Sequence, residues 1–332
     1  MNSTVFQNIF NSESLSDSSK KLYKRNLEKL MEVTQNRDLK KLAQNPDKVF
    51  QFLQTQDVSN ASKKSMIAAM MSAIKHSSAL FNLRDDDAVL ELWREKMAKV
   101  QEQLDQKNLS GQLTPAEQDK WIEWKNVLRC ERHIRKTEYA SIKHLLIAMY
   151  VYIEPLRSDF GNVKLFFDAV DTNYKNNYIF IDTTEPEKSF LELVTYKTSG
   201  KYGNKRIILP GQLVHIISTS VQSYPREYLF VNKYDEPFEK RNSFTVFSNR
   251  IFEEIFGKKV TVNILRHSRI SSIRFDDSRP IELQNIASKM GHSLGMQQRY
   301  RRLDETTPPP PQPVGAPRRG GGIILERPHG YK

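Results

Sequence analysis

Apolar residues recur at helical spacing through most of the first third of the chain. In SDSSKKLYKRNLEKLMEV (16–33), Leu22, Tyr23, Leu27, Leu30 and Met31 fall at helical spacing, and the Ser/Asp cluster ahead of them offers N-cap oxygens. A second helix is predicted around Val49–Leu53. A third runs through KKSMIAAMMSAIKHSSAL, where Met66, Met70 and Ile74 stand one turn apart, as do Ile67 and Met71. A fourth starts at Asp85–Asp87, whose charges suit a helix N-terminus, and continues through Val89, Leu92, Trp93, Met97, Val100 and Leu104. Residues 12–107 therefore read as a small domain of four or five helices behind an N-terminal extension, 1–11. The methionine stripe belongs to its core rather than to a cofactor site.

KNLSGQ, polar and holding a glycine, marks a linker at about 108–113. Past it, Thr114-Pro115-Ala116-Glu117 is a helix start. Threonine can cap, proline fits the first helical position, and Glu117 can complete a capping box. Trp121, Trp124, Val127 and Leu128 then supply an apolar face, and a more hydrophobic helix follows over about Thr137–Ile153, closed by Pro155. The period changes between 160 and 210. YIFID (178–182), FLELVTY (190–196) and RIILP (206–210) are β-like, and KTSGKYGNK between the last two is a turn. Helical signals return at 211–220, 244–256, 264–273 and 281–290. The expected fold class is mainly α with a small antiparallel β-sheet inside a second domain, 114–305. TTPPPPQPVGAPRRGGG opens a tail, 306–332, whose Pro/Gly content predicts disorder.

Composition narrows the partner. Hydrophobic residues make up 38% of the 332 and charged ones 27%, the balance of a soluble globular protein. No apolar run reaches membrane-span length, and the acidic, weakly apolar opening predicts no secretory signal. The single cysteine, Cys130, forms no internal disulfide and leaves no Cys/His zinc cluster, so a reducing compartment is expected. The net charge of +12 is uneven. Residues 1–110 carry 17 basic and 14 acidic side chains, whereas 257–302 carry 10 against 3. A patch so concentrated predicts an anionic partner, nucleic acid above all.

Five short stretches hold the candidate chemistry. They are IEPLRSDF with Arg157, YKTSGKYGNKRIILP with Lys197 and Lys201, Asn263-Ile264-Leu265-Arg266-His267, Met290-Gly291-His292-Ser293, and Tyr300 eight residues beyond His292. In their order and local setting they resemble the tyrosine recombinase family, the phage-integrase class of site-specific DNA recombinases. The first half is similar to that family's helical core-binding domain. The resemblance spans roughly 12–303, although the specific motifs all follow residue 150.

The resemblance implies a metal-free, ATP-free, cofactor-free reaction. Tyr300 would attack a DNA phosphate and form a 3′-phosphotyrosyl link. Arg157 and Arg266 would clamp the non-bridging oxygens, since a planar, permanently charged guanidinium matches a phosphate with forked donors. Lys197, with Lys201 as substitute, would protonate the departing 5′ oxygen, and His292 would donate to a phosphate oxygen. The implied partners are double-stranded DNA held in a two-domain clamp and a homotetramer on two DNA sites. No membrane is involved, and the location is intracellular, with DNA. Lys201, Arg269, Arg299 and Arg301 are the expected backbone contacts. The atypical motifs suggest a virus or a mobile element.

One position departs from the pattern. The family usually has a histidine where this chain has Asn263, and asparagine is no base near neutral pH, though its amide still donates. Two other functions stay open: a relaxing topoisomerase of type IB, and a DNA-binding protein with a decayed site, such as a viral packaging or transcription factor. Bland readings stand beside each residue as well. Arg157 could pair with Asp159. Lys197 and Lys201 could keep a sheet edge soluble. Arg299, Arg301 and Arg302 could be solvated, as could Arg269, Arg274 and Arg279. His267 could be a satisfied core histidine.

Overall fold

The computed structural model describes residues 2–81, 86–171, 173–273 and 278–302. Arg274 and the Pro/Gly-rich tail lie outside the described residues. The first unit is built from α1 (Asn2–Asn11), α2 (Asp17–Val33), α3 (Leu39–Gln44), α4 (Pro46–Thr55), α5 (Asn60–Phe81) and α6 (Asp86–Leu109). Ser16 caps α2 by accepting from the Ser19 amide, as its Ser/Asp cluster predicts. Asp38 caps α3 through two amides. Leu27, Leu30, Met66, Met70, Ile74 and Trp93 meet in one core, where the Trp93 indole donates to the Ala43 carbonyl at 3.1 Å. The methionines are core, as their spacing indicates. Residues 1–11 differ from expectation. Val5 and Ile9 are fully buried in the same core, so this segment is its first helix and no appendage. Val5/Ile9 and Phe6/Phe10 are spaced one turn apart, but two such pairs span barely more than one turn and do not say which core they join.

The second unit holds α7 (Pro115–Gln118), α8 (Trp124–Thr137), α9 (Ile142–Val151), β1 (Lys164–Phe167), β2 (Tyr178–Ile181), β3 (Phe190–Leu193), α10 (Ser199–Tyr202), β4 (Lys205–Ile208), α11 (Gly211–Ser223), α12 (Arg241–Phe256), α13 (Val262–Ser271), α14 (Pro280–Lys289) and α15 (Leu294–Tyr300). Thr114 and Glu117 form the capping box the sequence calls for. The helix they start is short, however, and α8 restarts only at Trp124, once the chain has turned to bury Ile122. A second break separates α8 from α9, with Ala140 in the left-handed region at φ 56° and Ser141 capping α9.

The sheet corrects the antiparallel expectation. Its order is β1-β2-β3-β4, with β1 parallel to β2 and the remaining pairs antiparallel. Strand β1, KLFF, escapes sequence reading because its uninterrupted apolar run, Leu165-Phe166-Phe167, is only three residues long. Leu165, Ile179, Ile181, Leu191 and Leu193 point into the second core, while Phe166, Tyr178, Phe180 and Phe190 form an outer aromatic row. The segment expected as a plain turn, KTSGKYGNK, holds α10 between β3 and β4. Among the described residues, no helix is long and apolar enough to cross a membrane.

One ion pair joins the units and a second lies within the second unit beside it. Arg299 on α15 meets Asp105 on α6 at 3.1 Å, and Arg302 meets Glu117 at 2.9 Å. They flank a cleft of about 750 Å³ with Tyr23, Asn26, Lys64 and Gln101 on one wall and Asn263, His267 and Tyr300 on the other.

Candidate active site

Helix packing explains how distant stretches converge. Thr261 caps α13, whose Ile264, Leu265 and Ile270 sit in the interior. That burial carries Arg266 inward with them, leaving it 1% exposed. A cation so placed needs dense hydrogen bonding. Arg266 donates to the carbonyls of Pro155 and Met290 and to Nδ1 of His292 at 3.0 Å. Guanidinium can only donate, so His292 accepts at Nδ1 and carries its proton on Nε2.

The Met290-Gly291-His292-Ser293 stretch is a double cap. Gly291 takes φ +72° after α14, with its amide donating to Ser288 and that of His292 to Ala287, the two bonds of a Schellman motif. Glycine is required there because other residues enter the left-handed region only at a cost. Ser293 then caps α15 by accepting from Met296. The turn aims His292 at Arg266, and the freed Gly291 carbonyl accepts from Arg157 at 3.2 Å. Arg157 itself is positioned by buried Leu156 and Phe160 on either side. It does not take up Asp159, whose carboxylate pairs with Arg241.

Tyr300 closes the cluster. Its ring lies 5.5 Å from the Arg266 guanidinium carbon and nearly parallel to His292 at 5.4 Å, with His267 stacked on it at 4.5 Å. Burial lowers the Arg266 pKa from its ordinary value, and the charge interaction with Tyr300 opposes that shift. The other tyrosine coupled to Arg266, Tyr150, is fully buried, and burial holds its hydroxyl far above the usual range. Of the two, only Tyr300 is partly open to the cleft.

Sequence reasoning missed Lys205. Lys197 is exposed. Lys201 lies in α10, and its side chain is outside the described residues. Lys205, first residue of β4, reaches the carbonyls of Ser288 (2.7 Å) and Lys289 at the end of α14. Its pKa falls to about 8, through burial first and then repulsion from Arg266 and Arg157, with Asp159 opposing. A signal for it exists. Lys205 alternates with half-buried Ile207 on the inner side of β4, an unusual place for a lysine.

The expected DNA contacts fare differently. Arg269 makes a two-pronged pair with Glu154 (2.8 and 3.1 Å), so its forked donors are already engaged. Arg299 is held by Asp105, and Arg301 is half-buried at the C-cap of α15. Arg302 is nearly buried against Glu117. Asn263 is exposed on α13 and contacts His267 rather than Tyr300.

Electrostatically the cluster gathers Arg157, Arg266 and Lys205 around two neutral histidines. Burial first, then the Arg266, Arg157 and Lys205 charges, push His292 down to about 3. Burial first, then Arg302, pushes His267 down to about 4. Two buried donors, Arg266 Nε and His292 Nε2, make no hydrogen bond among the described residues.

The depressed histidines predict a pH dependence of stability. Unfolded histidine titrates near about 6.5, above both folded values, so the unfolded chain binds more protons as pH falls below that point. Stability is full above about pH 6.5 and drops toward pH 4, by up to about 1.4 kcal/mol per pH unit for each histidine. Urea midpoints taken between about pH 7 and pH 5 should fall accordingly. A His292→Gln variant should show a shallower fall, and an unchanged slope would assign the effect to other groups.

No known family model matches the chain, and no curated protein matches it significantly. Among solved structures it is similar to a crystal structure of XerA recombinase, at 12% identity over 92% of this chain and 95% of that one, with a TM-score of 0.39. It is also similar to a lambda integrase dimer bound to a COC′ core site, at 14% identity over 91% of this chain and 80% of that one, with a TM-score of 0.36.

Proposed function

We propose that the chain is a site-specific DNA strand transferase of the recombinase type, with Tyr300 as nucleophile. The observation carrying this reading is the pair of buried donors, Arg266 Nε–H and His292 Nε2–H, left without partners among the described residues and beside a tyrosine and a second arginine. Buried donors without acceptors cost about 1–3 kcal/mol each, and crowded cations repel. A phosphate diester relieves both penalties.

In the reaction, Tyr300 Oη attacks phosphorus and forms the phosphotyrosyl bond as the bond to the 5′ oxygen breaks. Arg157 and Arg266 stabilise the charge growing on the non-bridging oxygens, and His292 donates through Nε2. Lys205 protonates the leaving 5′ oxygen. Its pKa near 8 keeps it protonated yet willing to part with the proton at neutral pH. The phenolic proton passes to solvent in the cleft. The new ester conserves the energy of the broken bond, so the reversed steps rejoin a strand without ATP. The two-unit cleft and the basic 257–302 segment suit double-stranded DNA, and recombination between two sites calls for a tetramer.

The test uses duplexes with a randomised centre and a nick in one strand, so that the short cleaved piece diffuses away. A denaturation-resistant, protease-sensitive DNA–protein species supports strand transfer. Salt-sensitive binding with no covalent species from any member of the pool overturns it in favour of a DNA-binding protein, the reading that Asn263 alone favours. Relaxation of supercoils by monomers, with no joining of two sites, would indicate a topoisomerase.

The lysine assignment has its own check. Lys205→Ala should slow covalent capture by about 10²-fold or more, whereas Lys197→Ala should change it less than about threefold. Sulfur in place of the 5′ bridging oxygen leaves without a proton, so that substrate should restore Lys205→Ala to near the unsubstituted rate. Equal losses in the two variants would return the role to Lys197.

A further inference from the structure

His267 does more than fill the core. Its Nδ1 lies 2.6 Å from the backbone carbonyl of Tyr300, and its Nε2 lies 3.3 Å from the side-chain nitrogen of Asn263. A carbonyl oxygen can only accept, so Nδ1 carries a proton and donates it. In the neutral ring Nε2 is then a bare acceptor, and the Asn263 amide donates to it. The direction of each bond follows from the one before. Burial, which holds His267 down to about 4, keeps the ring neutral over the ordinary pH range.

The anchored group is the last residue of α15, a helix of seven residues. Helices so short are poorly held by their own hydrogen bonds. The carbonyls of a last turn have no partner within the helix. His267 supplies one, from a neighbouring helix, at the residue whose side chain would react. The ring also lies over the phenol, so one imidazole constrains Tyr300 at the backbone and at the face.

We propose that His267 is a positioning residue for the nucleophile, and that Asn263, standing where a base would be expected, sets its tautomer. This rests on the strand-transfer reading. It also gives Asn263 work that needs no proton transfer. Asparagine can donate to Nε2 at any pH, whereas a histidine at 263 would donate only in one tautomer or when charged.

Three variants at 267 separate anchoring from packing. His267→Phe keeps a stacked ring and loses the donor. His267→Asn loses the ring but places an amide N–H close to the position of Nδ1. His267→Gln reaches toward Nε2 instead. Capture of nicked duplex under single-turnover conditions should fall roughly tenfold to a hundredfold in His267→Phe and His267→Gln, with duplex affinity within about twofold, because a displacement of about 1 Å is costly to an in-line attack. His267→Asn should recover most of the rate. Asn263→Ala should lose less than His267→Phe, since solvent can replace an exposed donor. A His267→Phe enzyme as fast as the unsubstituted one, or a His267→Asn enzyme no better than His267→Phe, would overturn the proposal.

The DNA-free protein gives an independent reading. The imidazole nitrogen shifts of His267 should show the Nδ1-protonated neutral tautomer, and amide exchange of 300–302 should quicken in His267→Phe and not in His267→Asn. The Nε2-protonated form, or exchange equal in both variants, overturns the anchoring. Absence of covalent capture by the unsubstituted chain would instead count against strand transfer, leaving these two measurements to decide the role of His267.

Discussion

Tyr300→Phe should abolish the covalent DNA–protein species while leaving duplex binding and folding nearly intact. The change removes one oxygen. The ring stays between the His267 and His292 imidazoles, so the stacking contacts persist. The lost hydroxyl belongs to a half-buried residue, so its removal should cost about 1 kcal/mol or less. The proposed nucleophile, by contrast, has no substitute among the described tyrosines coupled to Arg266. Tyr150 is also coupled to Arg266, but it is sealed in the core beside Phe160 and Phe252, and its hydroxyl is held protonated. Tyr150→Phe is the matched control and should form the covalent species normally. Denaturing gels of nicked-duplex reactions read both variants. Persistent covalent product in Tyr300→Phe would move the nucleophile elsewhere.

Arg266→Ala should have the largest combined effect on rate and stability. Removing the guanidinium leaves the Pro155 and Met290 carbonyls and His292 Nδ1 without donors in the interior. Relief of repulsion with Arg157 offsets part of that loss. A net destabilisation of about 2–4 kcal/mol is expected from urea unfolding. Capture should slow by about 10²- to 10³-fold, the usual loss for a donor aimed at developing charge. Arg157→Ala separates the two effects. Arg157 is half-buried and among the described residues donates to the Gly291 carbonyl alone, so its loss should cost about 1 kcal/mol while slowing capture to a similar degree. Arg157→Lys should recover little, because an ammonium lacks the forked donors. If Arg157→Ala unfolds readily yet captures DNA at the normal rate, that arginine is structural.

Periodic and capping signals were the legible part of the fold. The α2, α5 and α6 stripes, the Thr114–Glu117 box and the apolar runs of β2 to β4 are local patterns, and a single sequence displays local patterns directly. Helix α1 and strand β1 were not legible, because each is short and acquires its place from distant partners. The parallel pairing of β1 with β2 is likewise a property of the assembled sheet. At the site, Arg157, Arg266, His292 and Tyr300 could be named from motif order, and the structure gathers them in one cluster. Lys205 could not be named that way. Its placement depends on which side of β4 faces α14, and a motif centred on the turn points to Lys197 instead. The interactions of Arg269 with Glu154 and of Arg299 with Asp105 span 115 and 194 positions, beyond the reach of any spacing rule.

The ion pair that spans the two units has a mechanical consequence. Helix α15 is tethered by Arg299 to the first unit, while the Arg302 amide bonds Ser271 on α13. Whatever wedges the jaws apart must therefore tug on the short rod that carries Tyr300. Admission and aiming become one coordinate, and the separation of Arg299 from Asp105 is a ruler for both.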